Sequence, residues 1–141
     1  MNKLEKIGEK NNVLTWFELP ARSLNRAKAF YERILDIQMT IKQDGEYRAA
    51  FFPYDPTIMQ ASSGRVTGTI IQMTEKADPL KDLSYNGVIV YLNASPSINL
   101  VLERVIDAGG KILEEKSRIP PGWIAKIKDT EGNIIGLFAE Q

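Results

Sequence analysis

Apolar side chains recur along this chain with two different periods, and those periods change at a proline. Residues 13–19 are predicted to form a strand with two usable faces, one with Val13, Thr15, Phe17 and Leu19 and the other with Leu14, Trp16 and Glu18. Pro20 is expected to end this strand, because proline has no N–H group for the sheet ladder. Residues 23–35 then predict a helix, with Ser23 as its N-cap. Its apolar stripe consists of Leu24, Ala27, Phe30, Tyr31 and Ile34, of which Phe30 in particular is expected to pack in the core.

The same order of elements follows a second time. Three strands are predicted after the first helix, at residues 37–41, 47–52 and 66–74, with a turn at Asp44-Gly45 and a loop over residues 53–64. A new strand follows at 88–92, and Ser95-Pro96 predicts the start of a second helix. That helix should end at residues 108–110, and the remaining strands are expected at 111–115, 123–128 and 134–139.

Each half of the chain therefore reads as strand, helix, strand, strand, strand. A shift of 72 positions places Ser23 on Ser95, since 95 − 23 = 72. One such sheet covered by one helix leaves its second face bare, so two sheets can enclose a cleft with the helices outside. We predict an α+β fold with a flexible arm at 1–11 and a single domain at 12–141. The domain consists of one module at 12–75, a linker at 76–85 and a second module at 86–141.

Composition excludes several kinds of site. The chain has 18 basic and 18 acidic residues, so no net field favours nucleic acid or an anionic membrane as a partner. It contains no histidine and no cysteine, which excludes a His-based metal site, a Ser-His-Asp triad and disulfides. No apolar run reaches the roughly 18 residues of a membrane span, and the first residues lack a signal-peptide pattern. We expect a cytoplasmic protein with a cleft for a small molecule.

Three phrases of the sequence resemble one known family. WFELPARSLNRAKAFYERIL, DAGGKIL and DTEGNIIGLF, in this order, are similar to the vicinal oxygen chelate superfamily. That superfamily includes glyoxalase I, extradiol dioxygenases and the fosfomycin and bleomycin resistance proteins, and the closest resemblance is to small glyoxalase-like proteins. The resemblance implies paired βαβββ modules, often assembled as a homodimer. Thr130 stands where the family turn has proline.

The resemblance also implies where a metal would bind in metal-dependent members. Its ligand positions fall on Trp16, Val88 and Gly136, and more loosely near Gln72. Tryptophan, valine and glycine side chains cannot coordinate a metal, so we expect no metal and no other cofactor. The usual mechanism, in which a metal polarises vicinal oxygens, would then be absent.

The residues themselves suggest a different use of the cleft. Trp16 could provide a flat apolar wall for a planar ligand, or it could be a core tryptophan. Glu18 shares a strand face with Trp16 and is expected to be partly desolvated. It could act as a base, orient a ligand, or pair with Arg48 or a lysine. Gly136 could open space for a ligand, or it could mark a packing contact. The predicted ligand-binding residues are Trp16, Leu14, Arg48, Gln72, Val88, Trp123, Gly136 and Phe138, with Glu18 as the candidate catalytic residue.

Three functions remain open at this point. The first is a metal-free module that binds a small, partly aromatic molecule. The second is a lyase or isomerase that uses Glu18 as base, with or without Mg or Mn held by oxygen ligands. The third is an accessory protein whose cleft is filled by side chains and whose outer face binds a partner protein.

Overall fold

A computed structural model describes residues 16–55, 57, 66–73, 88–120 and 122–141, and it arranges them as two modules of the same design. The first module contains β1 (Trp16–Ala21), α1 (Leu24–Leu35), β2 (Thr40–Asp44), β3 (Tyr47–Phe51) and β4 (Thr67–Gln72). The second contains β5 (Val90–Asn93), α2 (Ile98–Val105), β6 (Lys111–Ile119), β7 (Gly122–Lys128) and β8 (Ile134–Ala139).

Each module forms its own four-stranded sheet. The strand order is β1-β4-β3-β2 in the first sheet and β5-β8-β7-β6 in the second. The first strand of each module runs parallel to the last, and the other neighbours are antiparallel. The predicted α+β fold of two βαβββ modules is confirmed. Neither described helix is long and apolar enough to cross a bilayer.

Each sheet packs one face against a helix of its own module, and no helix of the described ranges covers its other face. In the first module the core face carries Leu19 on β1 and Ile70 on β4, which are paired across the strands. In the second module Leu92 and Leu137 hold the corresponding places. Because side chains alternate along a strand, the residues between these face away from the helices. We call those two surfaces the helix-free faces.

The apolar stripe of α1 is buried as predicted. Leu24, Ala27, Phe30, Tyr31 and Ile34 are all buried, and Ser23 is the N-cap whose side chain accepts a hydrogen bond from the amide of Arg26. The periodicity was sufficient here because a helix that covers one sheet must bury one continuous stripe.

The structure corrects the predicted end of β1. The strand continues through Pro20 to Ala21, and Pro20 pairs with Ile71 of β4. β1 lies at the edge of its sheet. An edge strand needs only one of its two rows of backbone groups, so a proline can be accommodated there.

The start of the second helix is also corrected. The N-cap of α2 is Ser97, not Ser95, and the helix begins at Ile98. The amide of Ser95 instead donates to the side chain of Asn93 at 2.9 Å, which forms an asparagine turn before the helix. Counted from the buried strand leucine to the helix N-cap, the second module has one residue more than the first: Leu92 to Ser97, against Leu19 to Ser23.

This extra residue changes which positions of the two modules correspond. Matching the buried residues Leu19 and Leu92 gives a shift of 73 in the first strands, so Trp16 corresponds to Ile89 and not to Val88. In the last strands, Thr69 pairs with Glu18 as Gly136 pairs with Tyr91. Thr69 is thus the counterpart of Gly136.

Other predicted boundaries shift by a few residues. β2 begins at Thr40 instead of residue 37, and β6 extends to Ile119 instead of residue 115. The predicted arm at 1–11, the linker at 76–85, Leu14 and most of the loop at 53–64 lie outside the described residues.

Candidate functional site

Two half-buried aromatic rings lie on the helix-free face of the first sheet. Trp16 and Phe51 meet edge to face with 6.0 Å between ring centroids. The Lys42 ammonium lies 4.9 Å from the centroid of the Phe51 ring, within the range of a cation–π interaction. The three side chains come from β1, β3 and β2, so the strand pairing itself brings them together. They offer a flat apolar surface with a positive charge at its edge.

Glu18 and Thr69 continue the same face. They are cross-strand neighbours, and Thr69 is also paired with Phe51 on its other side. Glu18 is exposed, not partly desolvated as predicted, and it forms no ion pair within the described part of the chain. Thr69 is buried, and its hydroxyl has no hydrogen-bond partner among the residues that the structure describes. An unpaired buried hydroxyl carries a desolvation cost that a polar partner would relieve.

The helix-free face of the second sheet is arranged differently. Tyr91 lies against Gly136: a Cβ atom built on that glycine would come within 2.5 Å of Cδ1 of the tyrosine ring. The position that the resemblance assigns to a metal ligand is therefore covered by an aromatic ring. Phe138, two residues further along β8, is half-buried on the same face.

Several predicted site residues lie elsewhere. Arg48 and Gln72 are on the helix-facing side: Arg48 contacts Asn25 of α1, and Gln72 accepts a hydrogen bond from the first helical amide, that of Leu24. Trp123 also faces the helix side, with the Lys116 ammonium 4.7 Å from its ring centroid. Val88 precedes β5 and is 94% exposed. The structure does not bring these residues together with Trp16 and Glu18.

Three residues of the first sheet were not singled out by the sequence analysis: Thr69, Phe51 and Lys42. Their shared face follows from alternation relative to buried Ile70 and Ala50 once strand order is known. The sequence contains that alternation, but it does not show which strands become neighbours.

A polar cluster around Asp129 and Glu131 connects the two modules, and we call it the module joint. The turn that follows β7 places Glu131 against the first turn of α1, where its carboxylate accepts four hydrogen bonds. They come from the Ser23 amide at 2.8 Å, from Arg26 at 2.7 and 3.1 Å, and from the Thr130 hydroxyl at 2.9 Å. Burial opposes ionisation of Glu131, but these donors outweigh it and lower its pKa.

Asp129 is buried and also belongs to the module joint. It accepts hydrogen bonds from the Tyr31 hydroxyl at 2.7 Å and from the side chain of Asn133 at 2.9 Å. Burial raises the pKa of Asp129, although hydrogen bonds from Asn133 and Tyr31 oppose the shift. Burial and the nearby Asp129 charge raise the pKa of Tyr31 well above its ordinary value. Asn133 also donates to the carbonyl of Pro20 at 2.9 Å, so this turn holds both β1 and α1 of the other module.

The residues at the implied metal positions do not fit a metal centre. Trp16, Gly136 and either Val88 or its structural replacement Ile89 have no side-chain donor atom for a metal. Thr69, which occupies in the first module the position of Gly136 in the second, offers only a neutral hydroxyl. Within the described ranges, no group of three or more acidic residues is placed to hold an ion.

Comparison with solved structures gives the same fold at low sequence identity. A glyoxylase/bleomycin resistance protein/dioxygenase domain from Frankia sp. EAN1pec is 16% identical, with a TM-score of 0.65 and coverage of 92% of this chain and 98% of that one. A glyoxalase/bleomycin resistance protein from Albidiferax ferrireducens T118 is 19% identical, with a TM-score of 0.61 and coverage of 91% and 99%. A mutant of the fosfomycin resistance protein FosX from Listeria monocytogenes is 19% identical, with a TM-score of 0.59 and coverage of 91% and 92%.

Among curated proteins none matches this chain in sequence. The family model described as Glyoxalase/Bleomycin resistance protein/Dioxygenase superfamily matches residues 13–137, which is nearly the whole chain. The two-module topology, the strand pairing and this match agree, and the chain belongs to the glyoxalase/bleomycin resistance protein/dioxygenase superfamily.

Proposed function

We propose that this protein binds a small, partly aromatic molecule against the helix-free face of its first sheet, without the His/Glu metal centre of its metal-dependent relatives. One observation carries the proposal: the rings of Trp16 and Phe51 lie edge to face and half-buried on that face. Two rings at this angle offer one flat surface and one edge to a planar ligand.

The charges beside the rings indicate what else the ligand would carry. Glu18 supplies an exposed carboxylate and Lys42 an ammonium, so a ligand with both a donor and an acceptor group would be oriented between them. The unpaired hydroxyl of Thr69 lies between Glu18 and Phe51 in the strand register and could form a further hydrogen bond.

Known relatives support a small ligand in general terms. The FosX mutant was crystallised with Mn(II) and dihydroxypropylphosphonic acid, which shows that this fold can hold a small polar molecule in that protein. For this chain we propose a homodimer in the cytoplasm, with sequestration of a toxic compound as one use. The lack of histidine at the implied ligand positions separates it from the metal-binding case.

The experiment is native mass spectrometry with elemental analysis on untagged protein, prepared without chelators. A His tag must be avoided, because it would supply the imidazole ligands that this chain lacks. We expect a dimer without stoichiometric metal, carrying a retained small molecule. One divalent ion per subunit would contradict the metal-free proposal.

Fluorescence then locates the ligand, because the chain has only two tryptophans. The aromatic probe anilinonaphthalenesulfonate should quench Trp16, and Trp16→Phe should remove the quenching. Trp123→Phe is the matched control, since Trp123 faces the helix side and should leave the quenching unchanged. Quenching that follows Trp123 instead would place the ligand elsewhere.

A second candidate is a lyase or isomerase with Glu18 as base, with or without Mg or Mn. The exposure of Glu18 beside Trp16 favours it, because a catalytic base must reach its substrate. Once a turned-over substrate is known, Glu18→Gln should abolish turnover while binding persists. Full activity in that variant would remove the role.

A further inference from the structure

A cavity of about 340 Å³ lies where the two modules meet, on a different part of the molecule from the aromatic rings. Its wall combines the first turn of α1, the end of β7, the start of β6 and the turn between β7 and β8. The lining residues that matter here are Arg22, Arg26, Lys111, Lys128, Asp129 and Glu131. Four of these side chains are cationic and two are acidic, which leaves a formal excess of two positive charges.

The two acids do not neutralise the lysines. Asp129 and Glu131 each accept four hydrogen bonds within the module joint, so their oxygens already serve the fold. The guanidinium of Arg26 uses two of its five N–H donors for Glu131, and it has no further hydrogen-bond partner among the described residues. Its side chain is 55% exposed, so the remaining donors are accessible.

Lys111 and Lys128 are the decisive pair. They are direct cross-strand neighbours on β6 and β7. Like charges in this arrangement destabilise a sheet. Neither lysine side chain has a hydrogen bond or ion pair within the described ranges. Two residues earlier on β7, Lys126 pairs with Glu114 at 3.3 Å. Among the described residues, Lys111 and Lys128 therefore lack the acidic partner that Lys126 has.

Two glycines give the cavity a backbone wall. Gly109 and Gly132 both have positive φ, at 101° and 91°, which strongly favours glycine over residues with a side chain. A Cβ atom on Gly132 would meet nothing within 4 Å, so the cavity is open at this point.

We propose that this cavity binds a phosphate group, either as free phosphate or as the monoester of a small molecule. A dianion would neutralise the two unpaired lysines and accept hydrogen bonds from Arg26 at the same time. The volume exceeds what a phosphate alone occupies, which leaves room for an attached organic group. This site is separate from the proposed aromatic site, and it can be occupied whether or not that proposal holds.

The test is isothermal titration calorimetry in phosphate-free buffer at low ionic strength, with inorganic phosphate and phenyl phosphate as probes. We expect saturable binding at one site per chain that weakens as salt is added. The variant K111Q/K128Q should bind roughly tenfold more weakly or worse, because two charge-assisted hydrogen bonds are removed. The matched control K126Q should bind as the wild type does, since Lys126 does not line the cavity.

Amide chemical shifts of the wild type provide a second measurement that needs no variant. The largest shifts should occur at Gly109, Thr130 and Gly132. Tighter binding of phenyl phosphate would identify a monoester as ligand, and tighter binding of inorganic phosphate would identify the free ion. No saturable heat with either probe, equal affinity in K111Q/K128Q, or shifts centred on Trp16 and Phe51 would overturn the proposal.

Discussion

The ring of Tyr91 fills the space above Gly136, so that a Cβ atom on this glycine would lie 2.5 Å from Cδ1 and 2.6 Å from Cε1 of the ring. Glycine is therefore required at position 136 because of its neighbour and not because of its backbone angle, as its φ is not positive. On this face of the second sheet a tyrosine occupies the place where the resemblance implied a metal ligand.

Gly136→Ala should consequently destabilise the protein, and Tyr91→Ala should relieve most of that effect. The extra methyl group forces the Tyr91 ring away, at a cost of about 1–3 kcal/mol in the free energy of unfolding. Urea denaturation of both single variants and the double variant gives the coupling between the two positions. Additive losses would contradict the direct contact.

Gly68 offers a contrasting case on the opposite kind of face. A Cβ atom there would be 2.6 Å from Cδ1 of Phe17, and it would lie even closer to the backbone carbonyl oxygen of Phe17. Backbone cannot rotate away, so Gly68→Ala should be at least as destabilising as Gly136→Ala. Unlike that variant, it should not be rescued by trimming its neighbour with Phe17→Leu. Equal rescue at both sites in denaturation experiments would show that only the rings cause the clash.

The module joint should respond to pH through Glu131. Its ordinary pKa is 4.5 and the folded state lowers it. Its contribution to stability is thus fully present above pH 4.5 and is lost as the pH falls through the folded pKa. Glu131→Gln should cost about 2 kcal/mol at neutral pH, because hydrogen bonds to a charged, buried carboxylate are weakened. The difference from wild type should shrink as the pH is lowered below 4.5.

The control for this experiment is Glu114→Gln. Glu114 pairs with Lys126 at 3.3 Å, but its side chain is 62% exposed. An exposed pair contributes little, so the variant should stay within about 0.5 kcal/mol of wild type at every pH. Denaturant midpoints between neutral and acidic pH provide the comparison. A Glu131→Gln deficit that stays constant with pH would show that the charge of Glu131 does not stabilise the joint.

The helices and strands of this fold could be predicted from the sequence where the apolar residues followed one clear spacing. The stripe from Leu24 to Ile34 gave α1 and its buried residues, because a helix on a sheet obeys local spacing. The start of α2 was misplaced because Ser95-Pro96 fits a helix N-terminus locally, whereas the hydrogen bond from Ser95 to Asn93 makes a turn instead.

The candidate site was only partly predictable for a different reason. Trp16 and Glu18 could be grouped from the sequence, because residues two positions apart on one strand share a face. Phe51 and Thr69 join them only through strand pairing: Thr69 lies 51 positions after Glu18, its partner on β1, and 18 positions after Phe51, its partner on β3. Ser23 and Arg26, the partners of Glu131 in the other module, lie more than 100 positions away, so the turn was recognised while its role in joining the modules was not.

Thr69 is the residue at which stability and binding should separate. Within the described part of the chain its hydroxyl is buried without a hydrogen-bond partner, so the folded protein bears a desolvation cost that no bond compensates there. Thr69→Val keeps the shape and removes the hydroxyl, and it should raise the free energy of unfolding by about 1 kcal/mol in the absence of ligand. The same variant should weaken binding of the retained small molecule, because the ligand loses a hydrogen-bond partner.

Thr67→Val is the matched control: the Thr67 hydroxyl already lies 3.3 Å from the Phe52 carbonyl, so its loss should not stabilise the protein. Stabilisation in both variants, measured by urea denaturation, would attribute the effect to added apolar surface. Stabilisation in Thr69→Val alone, together with weaker binding, would identify this hydroxyl as a polar group kept for a ligand at the expense of stability.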